Sequence, residues 1–195
     1  EYSLEDVLIL NDNLWSFDVS YPQSLAIIIP EGIDRVFVND LPIQLGDKKG
    51  INCHGCYMNL QYYSIVPKII QEVEWEEDLF FVEIITDSKI DKFNFEQSSK
   101  SISFQVNDEN KFITTIIPLK LLWGPYVVFL DDEQIKYNKY TVDETHATLD
   151  IKPQTSGEIT IIGTTVIPEF PIIAPLAIGF LMILVIPFMK KINLR

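Results

Sequence analysis

The residues best equipped for chemistry are Cys53, His54 and Cys56, spaced Cys-His-Gly-Cys, with Met58 two positions further on. Two thiolates, an imidazole and a thioether make a soft donor set, better suited to copper(I) or zinc than to magnesium or calcium. The same spacing lets one thiol resolve a disulfide made by the other, or closes a structural disulfide across a short loop. Covalent haem attachment needs His directly after the second Cys, and Tyr57 stands there. Cys53 and Cys56 are the only cysteines, and no thioredoxin-like alternation of strands and helices surrounds them. A structural disulfide is therefore the expected state, with a copper site through Cys53, His54, Cys56 and Met58 as the alternative.

Other reactive constellations are sparse. His54 and His146 are the only histidines, so one chain cannot form a three-His metal site. His146 falls at the start of an expected strand and reads as an edge or capping residue. The acidic clusters Glu72/Glu74/Glu76/Glu77/Asp78 and Asp131/Asp132/Glu133 lack the spacing that turns carboxylates around one calcium ion, and read as solvated faces. Gly-x-Ser-x-Gly, phosphate-cradling glycine loops and His-Glu-x-x-His are absent, so no enzymatic activity and no catalytic residue are expected. Trp75, Trp123, Tyr62 and Tyr63 are expected in a β core rather than on a contact surface.

The elements that must position these residues read as short strands. Ser24–Ile29, Arg35–Val38, Phe80–Ile85, Ser101–Val106 and Phe112–Ile117 are rich in β-branched and aromatic residues, with turn signals between them. In Ser101–Val106 the residues Ile102, Phe104 and Val106 alternate with polar ones, the period of a half-buried strand. Further strands are expected at Pro125–Leu130, Ile135–Val142, His146–Ile151 and Glu158–Ile162, with Asp131–Gln134 as a hairpin tip. No sustained 3.6-residue apolar repeat appears before the C-terminal stretch. The fold expected is all-β: an antiparallel β-sandwich, Ig-like or jelly-roll-like, plus one C-terminal transmembrane helix. We divide the chain into an N-terminal β-rich region with the Cys-His-Gly-Cys loop (1–78), a sandwich domain (79–163), a Pro-rich connector (164–171), a spanning helix (172–189) and a basic end (190–195). The runner-up is one continuous sandwich.

The end of the chain supplies an address. Pro171 to Met189 is nineteen positions without a charge, followed by Lys190, Lys191 and Arg195. About 20 apolar residues cross a bilayer core, and the cationic end fits a cytoplasmic C-terminus. The expectation is a single-pass protein of the cell membrane, its N-terminal region outside and its signal peptide already removed. The net charge is -13, and without the three tail cations 12 basic residues face 28 acidic ones. Nucleic acid and anionic lipid are therefore poor partners. No Asn-x-Ser/Thr sequon occurs.

The junction Thr164-Thr-Val-Ile-Pro168-Glu169-Phe170-Pro171, with one apolar span and a basic end, resembles the PEFG-CTERM sorting tail of surface proteins from ammonia-oxidising archaea. Gly124-Pro-Tyr-Val-Val-Phe, Thr145-His-Ala-Thr-Leu and Ile161-Ile-Gly-Thr-Thr resemble the C-terminal β-domain of such secreted proteins. The likeness covers about residues 80–195. Pro171 stands where that pattern has Gly, and proline there would hinder a sortase-like cut, so the tail is expected to persist as an anchor. The resemblance implies an archaeal surface protein whose partners are lipid and other membrane or surface subunits. It also implies a copper-rich setting, because these organisms carry a copper-containing ammonia monooxygenase in the same membrane. The function expected is a non-catalytic interaction or structural module, a cell-envelope component or an accessory subunit of a membrane complex. The alternative is a copper-handling accessory subunit.

Overall fold

A computed structural model describes residues 7–45, 49–75, 77–140 and 144–165. Residues 166–195, including the expected spanning helix and the tail motif Pro168–Pro171, lie outside them. Fifteen strands form three five-stranded antiparallel sheets, and no helix occurs among the described residues. None there is long and apolar enough to cross a membrane.

The N-terminal sheet consists of β1 (Leu8–Asn11), β2 (Leu14–Ile28), β3 (Arg35–Val38), β4 (Leu41–Gln44) and β5 (Gly50–Tyr63), in the order β1-β2-β5-β3-β4. Its spine is the long β2–β5 pair, which runs from Leu14↔Tyr63 to Ile28↔Gly50. The β3–β4 hairpin turns on Asn39 and Asp40, both with positive φ (50° and 65°), the conformation a two-residue type I′ turn requires. Ile29, Ile33, Val36, Leu45, Leu60 and Tyr62 make a core of its own, with Trp15 and Phe17 packed against it.

The other two sheets comprise β6 (Lys68–Trp75), β7 (Asp78–Thr86), β8 (Ile90–Glu96), β9 (Ser101–Val106), β10 (Ile113–Pro118), β11 (Trp123–Leu130), β12 (Glu133–Ile135), β13 (Tyr137–Tyr140), β14 (His146–Ile151) and β15 (Gly157–Thr165). Their orders are β13-β14-β10-β7-β6 and β12-β11-β15-β9-β8. Together they enclose one core, with Ile84, Ile113, Ile117 and Leu149 from the first and Ile102, Phe104, Val128 and Ile161 from the second. The expected β-sandwich is therefore present. Ile102, Phe104 and Val106 are fully buried, as their alternation predicts.

Two expectations are corrected. The division at 78/79 runs through the β6–β7 hairpin, whose register extends from Lys68↔Ile85 to Trp75↔Asp78. The acidic run is a strand: Val73 and Trp75 face the core while Glu72 and Glu74 line the solvent face of an edge, where charge discourages further pairing. Residues 64–67 connect the N-terminal sheet to the sandwich, which β6 joins from the first half of the chain. The second correction concerns Ile135–Val142. Asp131 and Asp132 turn β11 into β12, so Glu133 and Gln134 of the expected tip are already strand, and the chain then leaves for the other sheet as β13, so two strands stand where one was expected.

The pairing also gives the sandwich two distinct ends. Thr86, Ile113 and Ile151 lie side by side at one, and Pro118 pairs with His146 at the other.

Candidate functional site

Three places gather polar or exposed apolar groups. The most enclosed is the seam between the N-terminal sheet and the sandwich, at the Thr86/Ile113/Ile151 end. Phe37 of β3 stacks on Phe112, ring centroids 3.6 Å apart and planes 14° apart, and Tyr63 of β5 meets both rings edge-on at 6.4 Å. Such ring pairs add about 0.5–1.5 kcal/mol each beyond the area they bury. Beside them Arg35 Nη1 donates to Thr114 Oγ1 at 2.8 Å and to Asp150 Oδ1 at 3.1 Å, while Thr114 Oγ1 donates to the same oxygen at 2.5 Å. Around the rim Lys111 pairs with Asp12 at 2.9 Å and Asp87 at 3.5 Å, Asn13 donates to Asp87, and Lys152 pairs with Asp40.

Electrostatics at the seam follow from burial. Asp150 is raised above the usual carboxylate range by loss of water, with Arg35 and Thr114 pulling it back in part. Arg35 is lowered for the same reason, opposed by Asp150. Both shifts run toward the neutral form, so desolvation outweighs the attraction between the two. Burial likewise raises the Tyr63 hydroxyl, against the opposing pull of the Phe112 backbone and Lys111. Asp150 Oδ2 is buried without a hydrogen-bond partner among the described residues. Cavities of about 290 Å³ and 730 Å³ flank the Phe37–Phe112 stack, the first lined by Arg35 and Tyr63, the second by Asp150 and Lys152. Chemically this is a clamp between two bodies, with no nucleophile-base pair in it.

The Cys53–Cys56 stretch lies in β5, seven to ten residues from Tyr63, near the end of the sheet remote from the sandwich. Across from it, Tyr21↔Cys56 and Ser24↔His54 leave two residues of β2 opposite the single Gly55, a β-bulge. Gly55 takes φ +60°, which shifts the alternation so that Cys53 and Cys56 fall on the same face. The two are disulfide-bonded, Cα atoms 5.8 Å apart. His54 lies on the opposite face, exposed, with Nδ1 2.6 Å from Ser24 Oγ. Met58 is buried. The proposed metal ligands are thus not brought together: the disulfide takes both sulfurs and strand alternation turns the imidazole away. Among the described residues no group of three or more His, Cys, Asp or Glu is placed to hold a metal ion.

The third place is the other end of the sandwich, where β15 finishes. Trp123 pairs with Thr165 there and shares a groove of about 380 Å³ with Leu79, Phe81, Pro118 and His146. His146, the first residue of β14, has Nδ1 2.7 Å from Thr145 Oγ1. Of the expected core aromatics, Tyr62 and Tyr63 are buried, Trp75 is packed against the core and Trp123 is exposed. Asp131, at the other acidic cluster, accepts from the Glu158 backbone N–H at 2.9 Å, a turn contact.

Sequence reasoning missed Arg35, Thr114 and Asp150 as a group. Asp150 sits on the outward alternation of β14 and Arg35 opens a short apolar strand, so each alone reads as solvent-facing. The signal that could have raised the question is an acid inside an otherwise apolar strand, Ala147-Thr-Leu-Asp-Ile151. Set against family models, curated proteins and solved structures, the chain has no significant match.

Proposed function

We propose that this chain is a membrane-anchored, extracellular, non-catalytic interaction module, held by the apolar segment 172–189 and serving as a cell-envelope component or as an accessory subunit of a membrane complex. The observation that carries the reading is the order of parts along the molecule. Thr165, from which the chain passes to the apolar run, and the clamp that holds the N-terminal sheet lie at opposite ends of the sandwich. An anchor at one end would thus present the N-terminal sheet away from the bilayer, as a partner-binding module requires. The unbroken apolar run, the basic residues after it and the likeness of Pro168–Pro171 to archaeal surface-protein tails support the address.

The copper-handling reading has less to stand on, since its two thiolates are joined to each other. Purification of the full chain from native membranes in mild detergent, followed by cross-linking and mass spectrometry, tests the main reading. A stoichiometric partner subunit is expected. A protein that runs only as a monomer, with no cross-linked neighbour, would overturn it. Elemental analysis of wild type against Cys53→Ser/Cys56→Ser tests the copper reading, for which equal copper content is the expected and decisive negative.

A further inference from the structure

We infer that the end of the sandwich where β15 finishes rests on the bilayer surface, with Trp123, Phe81 and Leu79 seated at headgroup depth against a lipid surface of zero net charge. The inference deepens the anchored reading and rests on it.

Three observations converge. Leu79, Phe81 and Trp123 are 48%, 46% and 44% exposed and line one groove with Pro118 and Leu119, so large apolar side chains lie side by side in contact with water. Contiguous exposed patches of this kind mark contact surfaces, whereas scattered single residues do not.

The second observation is position. Trp123 pairs with Thr165, and only residues 166–170 separate Thr165 from the uncharged run that starts at Pro171. The six Cα-to-Cα steps from Thr165 to Pro171 reach at most about 22 Å, so a bilayer entered by that run cannot lie far from Trp123. The patch is therefore at the end of the sandwich that an anchored protein brings to the membrane.

The third is chemistry. An indole joins an apolar body to one N–H donor and concentrates at the level where acyl chains give way to headgroups. Charge then selects the lipid. Across the β6–β7 hairpin Glu72 is paired with Phe81 and Glu74 with Leu79, Glu77 lies in the turn, Asp78 opens β7, and Glu144 lines the groove; the basic groups are Lys120 and His146 in its lining and Lys139 beside Gly124. Carboxylates in that majority would be repelled by anionic headgroups, which leaves zwitterionic or uncharged ones.

The test uses the full chain reconstituted in phosphatidylcholine vesicles, with and without lipid brominated near the headgroup. The three tryptophans are Trp15, Trp75 and Trp123. Retention after an alkaline carbonate wash is read first, then quenching of tryptophan emission. Retention is expected, together with quenching of which Trp123→Phe removes roughly half or more, since interfacial indoles lie where those bromines are. Trp15, in the sheet at the opposite end, should contribute almost none. Part replacement of phosphatidylcholine by phosphatidylglycerol should weaken the Trp123 quenching, and unchanged quenching would overturn the headgroup class. A retained protein whose Trp123 is not quenched overturns the lipid contact while leaving the anchor intact, and this holds equally if Trp123 is shielded from iodide by a protein neighbour. Loss on washing overturns the anchor, and the bilayer contact with it. A thermal melt of Trp123→Phe superimposable on wild type confirms that the variant reports contact and not misfolding.

Discussion

Arg35 Nη1 lies 3.1 Å from Asp150 Oδ1, joining the N-terminal sheet to the sandwich across 115 positions of sequence, with the Arg35 side chain 21% exposed and that of Asp150 only 3%. An ion pair so shielded is costly to break and cheap to replace. Removing the cation alone leaves a buried carboxylate, so Arg35→Ala should lower unfolding free energy by about 3 kcal/mol or more. The double change Arg35→Met/Asp150→Leu, which removes both charges and keeps volume, should be near neutral. Urea unfolding of the four-member cycle measures this, and additive losses would show that the two side chains do not interact.

Asp150 also predicts a pH dependence. Its folded value lies above its unfolded one, because burial favours the protonated acid. The native state therefore holds its proton more tightly, so the contribution to stability is full below the ordinary aspartate range and declines as pH rises through the raised folded value. Wild type should lose stability relative to Asp150→Asn on going from about pH 3 to pH 7, other carboxylates cancelling in the difference. A difference that is flat with pH, or of opposite slope, would remove burial as the dominant cause.

Phe112 stacks on Phe37 and meets Tyr63 edge-on, with Lys152 Nζ 4.5 Å above its ring. It is the sandwich's aromatic contribution to the clamp. Phe112→Ala should cost roughly 3–5 kcal/mol, the usual range for emptying a buried aromatic site. Because the N-terminal sheet has a core of its own, the loss should loosen the two bodies before either unfolds. Limited proteolysis should then cut first within 64–67. Cutting first inside β9 or β15 would mean that the sandwich itself depends on this ring.

The sandwich was legible in sequence because its strands are short and bounded by turn residues, and in β9 because Ile102, Phe104 and Val106 alternate with polar residues. The N-terminal sheet was less so. β2 runs fifteen residues through Pro22, which reads as a break, and β5 runs fourteen through Gly55, where the bulge reverses the alternation. A period-two pattern cannot register across such a reversal. β6 was hidden for another reason: Glu72 and Glu74 gave it the look of a linker although Val73 and Trp75 face inward. The disulfide was readable from the short spacing together with the lack of other cysteines and of a thioredoxin-like pattern, whereas the Arg35–Asp150 clamp depends on sheet packing that no local pattern encodes.

Tyr126 predicts an alkaline transition. Its hydroxyl donates to the Leu122 carbonyl at 2.8 Å, closing the turn that enters β11, and Tyr137 donates to the Tyr126 carbonyl at 2.6 Å. Burial, with a smaller push from Tyr137, raises the Tyr126 phenol from 10.0 to about 12. A raised folded value means that stability is complete below the unfolded value and is lost as pH rises through the folded one. Unfolding should therefore set in between about pH 10 and 12. Tyr126→Phe should lose about 1 kcal/mol at neutral pH by leaving the Leu122 carbonyl short of a donor, and should blunt the alkaline loss. Stability curves of both proteins from pH 7 to 12 decide it; parallel curves would show that the alkaline limit belongs to other groups.

Gly55 carries the last prediction. At φ +60° an L-residue is strained, and a Cβ there would stand 3.3 Å from the Pro22 carbonyl oxygen, which the bulge holds in place. Gly55→Ala should therefore cost about 1–2 kcal/mol. Reduction of Cys53–Cys56 should cost less, since the bridge closes a separation of only three residues and constrains little unfolded-chain freedom. The order of these two effects separates their roles: the backbone conformation sets the bulge and the sulfurs secure it. Thermal melts of wild type, reduced wild type and Gly55→Ala should rank in that order of falling stability. A reduced protein less stable than Gly55→Ala would mean that the disulfide, and not the glycine, holds Tyr21–Ser24 against His54–Cys56.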